Sequence, residues 1–159
     1  MTKYGLILIS AIAVGSANAD AQELNQFNGP YVVGEIGYEN GDAGFDQFII
    51  GGAVGANITI SEKIIVGGDF EVLGSADGAV DFTWGGHGQI GYIVQERHAV
   101  FARAGYREFE FDVAGLSDGD YSLGVGSQFE LSDNWSIRTI VDTVGFDTIG
   151  FRAGLAFHF

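Results

Sequence analysis

The chain has 159 residues, enough for one domain, and 47% of them are hydrophobic, with 26 Gly, 13 Phe and a single Pro. It contains no cysteine, which excludes a disulfide framework, a thiolate metal site and a thiol nucleophile. The 21 acids and seven Lys and Arg residues give a net charge of −14. That charge argues against a nucleic-acid-binding surface and against docking on anionic lipid headgroups.

The N-terminus has the pattern of an export signal. Lys3 precedes an apolar run at 5–14, and Ala17-Asn18-Ala19 supplies the small residues expected before a cleavage site. The apolar run is well short of the roughly 20 residues that a spanning helix needs. The sequence therefore predicts a cleaved signal peptide at 1–19, a short N-terminal periplasmic segment at 20–28 and one folded domain at 29–159.

Within this domain, apolar side chains alternate with small or polar ones, which is typical of β-strands with one apolar face. The alternation defines eight segments: Tyr31–Glu39, Gln47–Ile60, Ile64–Leu73, Phe82–Val94, Ala99–Phe109, Tyr121–Leu131, Trp135–Val144 and Thr148–Phe159. The last segment ends on Phe157 and Phe159, aromatic residues of the kind that anchor a protein at a membrane interface. The pattern predicts an all-β, eight-stranded antiparallel transmembrane β-barrel of the Gram-negative outer membrane.

The connections between the segments alternate in length. The second, fourth and sixth are short and charged (61–63, 95–98 and 132–134), whereas the first three odd connections are longer and rich in Gly and Asp (40–46, 74–81 and 112–120). An even strand number places both termini on the short-turn side, which faces the periplasm in such proteins. The last odd connection, 145–147, is short, so only modest external loops are expected.

The external connections are acidic. Their carboxylates belong to Asp42, Asp46, Asp77, Asp81, Asp112, Asp118, Asp120 and Asp147. Such a cluster could bind Ca²⁺ or Mg²⁺ and bridge to lipopolysaccharide phosphates, but none of the loops has the spacing of an ordered Ca²⁺ loop. The alternative is a solvated rim of mutually repelling charges, without any metal or cofactor.

The inward faces predict a polar lumen. An eight-stranded barrel is just wide enough inside for side chains, so charges there must be paired or hydrated. The predicted network consists of Glu35, Asp69, Glu71, His87, Gln89, Arg103, Arg107, Gln128, Glu130, Arg138, Asp142 and Arg152. Two interpretations stay open, a packed and salt-bridged plug or a continuous path for water and ions.

Several runs resemble a known family. GQIGYIVQERHAVFARAGY (88–106), YVVGEIGYEN, VGGDFEVLG, WSIRTIVD and the Phe-terminated last strand are similar to the OmpA transmembrane domain and to opacity-type outer-membrane proteins. The resemblance implies that Asp69 and Arg138 pair inside the barrel and that Arg103 is an inward cation. The second lumenal charge pair of the family falls here on Gln89 and Gln128, which argues against a charge-swapping gate.

The resemblance also implies partners. The terminal strand, with Leu155, Phe157 and Phe159, would be read by the barrel assembly machinery. The other partners expected are outer-membrane lipid and lipopolysaccharide, around a monomeric barrel. An extracellular ligand is not identified by the sequence.

Catalysis is not expected. Lipid A-modifying barrels need a nucleophile and a base, typically Ser and His, where lipid can reach them. His87 and His158 fall on the inward face, His98 falls in a turn, and no outward-facing His accompanies Ser127. The predicted function is a non-enzymatic outer-membrane protein that contributes to envelope integrity or surface interaction. The alternatives are a low-conductance porin-like channel and a surface adhesin.

Overall fold

The computed structural model describes residues 27–41, 45–76, 80–111 and 117–159. The predicted signal peptide and most of the predicted periplasmic segment lie outside these residues. The strands are β1 (Gly29–Gly41), β2 (Phe45–Ser61), β3 (Ile64–Ser75), β4 (Val80–Gln95), β5 (His98–Phe111), β6 (Ser117–Glu130), β7 (Trp135–Val144) and β8 (Thr148–His158). No helix among the described residues is long and apolar enough to cross a membrane.

The sheet closes on itself. Strands pair antiparallel in sequence order, and β1 also pairs with β8, for example through Val32 with Phe157 and Tyr38 with Phe151. A closed sheet has no edge, so the backbone groups along every strand find partners in the ladder. The predicted all-β, eight-stranded antiparallel barrel is confirmed.

The barrel is polar inside and apolar outside. Along β1, Glu35 is 3% exposed, whereas the next residue, Ile36, is 53% exposed. The same alternation continues on β6, where Val125 is 61% exposed and Gln128 is buried. Because successive side chains of a strand point to opposite faces, closure sends one set into the lumen and the other to the surroundings. This distribution is the reverse of that in a soluble protein.

The strands run further than predicted, so the predicted bounds of the Gly/Asp-rich connections at 40–46, 74–81 and 112–120 are wrong. Asn40 pairs with Asp46 in the β1–β2 ladder, and Glu108 pairs with Gly119 in the β5–β6 ladder. The connections shrink to 42–44, 76–79 and 112–116. Polar side chains do not interrupt a ladder whose backbone groups stay paired. The predicted acids Asp42, Asp77 and Asp112 lie outside the described residues, as does the side chain of Asp81.

An apolar cluster fills the short-turn end of the lumen. Phe27, 1% exposed, packs with Ile65, Ile93 and Ala99 from β3, β4 and β5. The next residue, Asn28, accepts a hydrogen bond through Oδ1 from the backbone N–H of Thr59 (2.9 Å). The residues just before β1 therefore fold back against the barrel end, which the alternation of the strands did not predict.

Candidate functional site: the charged lumen

Glycines on the inward faces make room for large lumenal side chains. A Cβ at Gly126 would lie 2.3 Å from Cζ of Phe101, and a Cβ at Gly105 would lie 2.6 Å from Cδ2 of His87. Both separations are far inside van der Waals contact, so a larger residue would displace the ring opposite it. Small residues on one strand thus let long side chains of the neighbouring strands fill a narrow interior.

Glu71 on β3 is the centre of the ion-pair network. Its carboxylate accepts hydrogen bonds from Arg103 Nη2 (2.9 Å), Arg107 Nε (2.9 Å) and Arg152 Nη1 (2.8 Å). Glu71 is fully buried. A buried carboxylate is stabilised only when its charge and lone pairs are matched, and three guanidinium groups from β5 and β8 do so here.

Two of these arginines also bridge to other strands. Arg107 donates to Glu39 Oε1 (2.5 Å) and to Asp142 Oδ2 (3.0 Å). Arg152 pairs with Asp142 and contacts Glu35 Oε2 (3.4 Å). Glu39 in turn accepts from the Gln47 side-chain amide (2.8 Å). The charges of β1, β3, β5, β7 and β8 therefore form one connected network.

Asp69 and Arg138 pair across the lumen. Arg138 Nη2 donates to Asp69 Oδ2 (2.7 Å), and Arg103 Nη2 donates to Asp69 Oδ1 (3.0 Å). The hydroxyl of Tyr31 also donates to Asp69 (3.0 Å). The guanidinium carbon of Arg138 lies 5.0 Å from the ring centroid of Phe101 and 5.5 Å from that of Tyr31, within the range of cation–π contact.

Neutral hydrogen bonds dominate towards the short-turn end. Gln89 Nε2 donates to Asn57 Oδ1 (2.6 Å), and Gln89 Oε1 accepts from Arg138 (3.1 Å). Gln128 Nε2 donates to Ser136 Oγ (2.9 Å) and lies 2.9 Å from Nε2 of His158. Gln89 and Gln128, which occupy the positions of the family's second lumenal charge pair, thus hydrogen-bond to different neighbours.

His87 lies beside the central carboxylates. Its Nδ1 is 3.5 Å from Asp69 Oδ1 and 3.7 Å from Glu71 Oε2, and neither ring nitrogen has a hydrogen-bond partner within the described residues. These three residues have the ligand types and proximity for a metal ion. The carboxylate oxygens, however, already accept from Arg103 and Arg138. A divalent cation would repel those guanidinium groups, so the cluster functions as an ion-pair centre.

Most of the predicted network is therefore brought together. Ion pairs join Glu35, Asp69, Glu71, Arg103, Arg107, Arg138, Asp142 and Arg152. Glu130 is buried at the last residue of β6, at the short-turn end of the lumen. The network also contains six residues that were not predicted: Tyr31, Glu39, Gln47, Asn57, Ser136 and His158. Glu39 lies an even number of residues after Glu35 on β1 and faces the same way, so the alternation of side chains was enough to place it in the lumen.

Aromatic side chains cluster on the outer face at the short-turn end. The ring centroids of Trp135 and Phe157 are 5.0 Å apart, and those of Phe157 and Phe159 are 5.3 Å apart. Phe159 is 72% exposed, and its N–H donates to Pro30 O (3.2 Å). Leu155 continues the same outward row and is 45% exposed. Amphipathic and aromatic rings in such a belt suit the boundary between lipid and water.

One expectation about the outer face is wrong. His98 is the first residue of β5 and not part of a turn, and its Nε2 lies 3.0 Å from Oγ of Ser127 on β6. Val100, of the same parity as His98, and Phe129, of the same parity as Ser127, are exposed. The histidine therefore faces outward beside the serine. The predicted turn ended one residue too late, so His98 was not assigned to the outward-facing residues of β5.

The closed sheet, apolar exterior and ion-paired lumen define the class of small eight-stranded β-barrels. No protein-family model matches the chain, and no curated protein sequence matches it. Solved structures do. Ail, the attachment invasion locus protein of Yersinia pestis, matches with a TM-score of 0.57 at 16% identity over 82% of this chain and 98% of that chain.

Two further structures have the same fold. Neisserial surface protein A matches with a TM-score of 0.57 at 13% identity, covering 82% of this chain and 96% of that chain. The N-terminal β-barrel domain of Pseudomonas aeruginosa OprF matches with a TM-score of 0.56 at 11% identity, covering 83% and 98%. These matches support the fold that the resemblance to small eight-stranded outer-membrane barrels implied.

Proposed function

We propose that the protein is a non-enzymatic β-barrel of the Gram-negative outer membrane and that it contributes to envelope integrity. The observation that carries the proposal is the reversed polarity of the barrel. Ile50, Ile90 and Val125 are 57–61% exposed on the outside, whereas Glu71 and Arg107 are fully buried inside. Apolar surface left in water costs about 25 cal/mol per Å², so a continuous apolar exterior requires lipid around it.

The lumen supports a structural role better than a transport role. Ion pairs cross it from β3 to β7 through Asp69 and Arg138, and from β8 to β3 through Arg152 and Glu71. Phe27 fills its short-turn end. A narrow interior filled by paired charges and capped by an apolar cluster is a plug. In planar bilayers we expect no discrete conductance steps, and reproducible single-channel steps would instead support the porin-like alternative.

Surface interaction is the second candidate, and the acidic end of the barrel opposite the short turns limits which ligands could bind there. Asp46, Asp118, Asp120 and Asp147 are all exposed there. The structural neighbour Ail was solved in complex with the heparin analogue sucrose octasulfate. An anionic ligand of that kind would be repelled by this acidic rim, so an adhesive role here would require a cationic partner.

A deletion strain tests the proposal. Loss of the protein should increase sensitivity to detergent and bile, and the wild-type chain expressed in trans should restore resistance. Cell fractionation should place the protein with outer-membrane markers. Unchanged sensitivity in the deletion strain would refute a role in envelope integrity, and recovery of the protein in the soluble periplasmic fraction would refute its membrane location.

A further inference from the structure

A polar pair interrupts the apolar outer face along the seam between β5 and β6. His98 Nε2 and Ser127 Oγ are 3.0 Å apart, and the ring centroid of His98 lies 6.3 Å from that of Phe129. Both residues of the pair are half-buried and lie diagonally across the seam, with exposed Val100 opposite Ser127 and exposed Phe129 opposite His98. Unpaired polar groups facing lipid are costly, and here the two side chains satisfy each other while keeping further hydrogen-bonding capacity.

The seam changes character along its length. Towards the middle of the barrel, the outward residues next to the pair are Ala102 and Val125, which are exposed and directly opposite each other. Towards the short-turn end lies Arg97, which is exposed and donates from Nη2 to Leu131 O (2.9 Å). An arginine has five N–H donors, so this one bond leaves capacity for a phosphate.

The order of groups along the seam matches a glycerophospholipid. An apolar stretch is followed by the hydrogen-bonding pair and then by a guanidinium group at the rim. In a phospholipid, the acyl chains are followed by the ester oxygens and then by the phosphate. His98 is the first residue of β5, and Ser127 lies close to the end of β6, so both are near the short-turn end. In the orientation predicted from the sequence, the ester groups of the inner leaflet would meet the barrel at this depth.

The charges at this rim select the headgroup. The sequence has seven Lys and Arg residues, and the four on the inward faces are buried in the lumen. Lys63 and Arg97 are exposed at the short-turn end, next to the exposed acids Glu62, Glu96 and Asp133. A rim that carries positive and negative charges suits a zwitterionic headgroup, whereas the nearby carboxylates would repel a headgroup with a net negative charge.

We propose that this seam is a binding site for a phospholipid that carries both a phosphate and a primary ammonium group, phosphatidylethanolamine. Arg97 binds the phosphate, His98 and Ser127 bind the ester region, and rim carboxylates face the ammonium group. The site rests on the proposed function because the seam must face the inner leaflet. The proposal is lipid binding and not hydrolysis, because the backbone N–H groups around Ser127 lie in the ladders with β5 and β7 and are not available as backbone oxyanion donors.

Native mass spectrometry of the full mature barrel tests the site. The folded protein is equilibrated with equimolar phosphatidylethanolamine and phosphatidylglycerol of identical acyl chains, and the retained lipid is quantified. We expect phosphatidylethanolamine to be retained preferentially. Ser127→Val and Arg97→Gln should each lower its occupancy about tenfold, as expected for loss of one hydrogen bond to a charged or ester group. The matched control is Thr143→Val, which removes an outward-facing hydroxyl at the end of β7 opposite the short turns and should bind like the wild type.

Heat-dependent gel mobility, measured first on every variant, separates this site from the proposed function. A wild-type chain that lacks a heat-modifiable form would contradict the membrane barrel itself. A folded wild type that retains both lipids equally, or a folded Ser127→Val variant that retains as much phosphatidylethanolamine as the wild type, would overturn the site. If Arg97→Gln does not fold, His98→Phe replaces it, with the same expected loss of phosphatidylethanolamine.

Discussion

The pair between Asp69 and Arg138 can be tested by a double-mutant cycle. Asp69→Asn leaves the guanidinium of Arg138, 2% exposed, without its carboxylate partner. A buried ion that loses its partner typically costs about 3–5 kcal/mol. Arg138→Met is milder, because Asp69 keeps Arg103 (3.0 Å) and the hydroxyl of Tyr31 (3.0 Å). We expect a loss of about 1.5–3 kcal/mol for that change, the value of a hydrogen bond to a charged group.

The double variant should lose less than the sum of the two single losses, by about 2–3 kcal/mol, because neither ion is then left unpaired. The measurement is equilibrium unfolding in urea of barrels refolded into lipid vesicles, followed by the fluorescence of Trp84 and Trp135. Glu62→Gln in the exposed β2–β3 turn is the control and should change the free energy of unfolding by less than about 0.5 kcal/mol. Additive losses would show that the two side chains do not interact energetically, and would refute a stabilising pair between Asp69 and Arg138.

Three further outcomes are expected. The protein should resist unfolding in cold SDS and shift its gel mobility on boiling, since a closed ladder offers no edge; identical mobility would contradict the barrel. Val125→Arg, in the middle of the outward face of β6, should cost about 2–4 kcal/mol in vesicle unfolding, and a neutral result would contradict lipid contact at that position. Removal of Phe159 should lower the amount of barrel in outer-membrane fractions, and normal assembly would refute its role as a signal.

The alternation of side chains was enough to predict the fold, because a strand with one apolar and one polar face has few ways to bury itself. The parity that placed Ile36 outside and Glu35 inside holds in the structure. Hairpin length was predicted poorly. Gly and Asp in 112–120 indicated a loop, but backbone pairing continues through polar hairpin residues such as Asp118, which lies opposite Phe109.

The composition of the lumen was predicted better than its pairing. Inward parity identified the arginines and most of the acids, but long side chains reach across several strands, so their partners depend on tertiary distances. Arg152 on β8 meets Glu71 on β3, a contact that no local pattern encodes. The resemblance to the OmpA transmembrane domain implied the pair of Asp69 with Arg138, because that pair is a feature of the family. Neither the alternation nor the family resemblance predicted that Phe27 would cap the short-turn end of the lumen.

The buried network is best understood as a device that fixes register. Buried ion pairs add little net stability compared with well-packed apolar residues, so their stability alone does not explain them. A slip of β3 by one residue, however, would turn Asp69 and Glu71 towards the apolar outer face and turn Phe70 inward, because side chains alternate with period two. In the proposed membrane location, each charge moved to the outer face would cost up to a few kcal/mol, and the arginines left inside would lose their partners. The same residues that add little net stability to a correctly assembled barrel thus penalise a slip by an odd number of residues, which suits a closed sheet whose first and last strands must pair in the correct register.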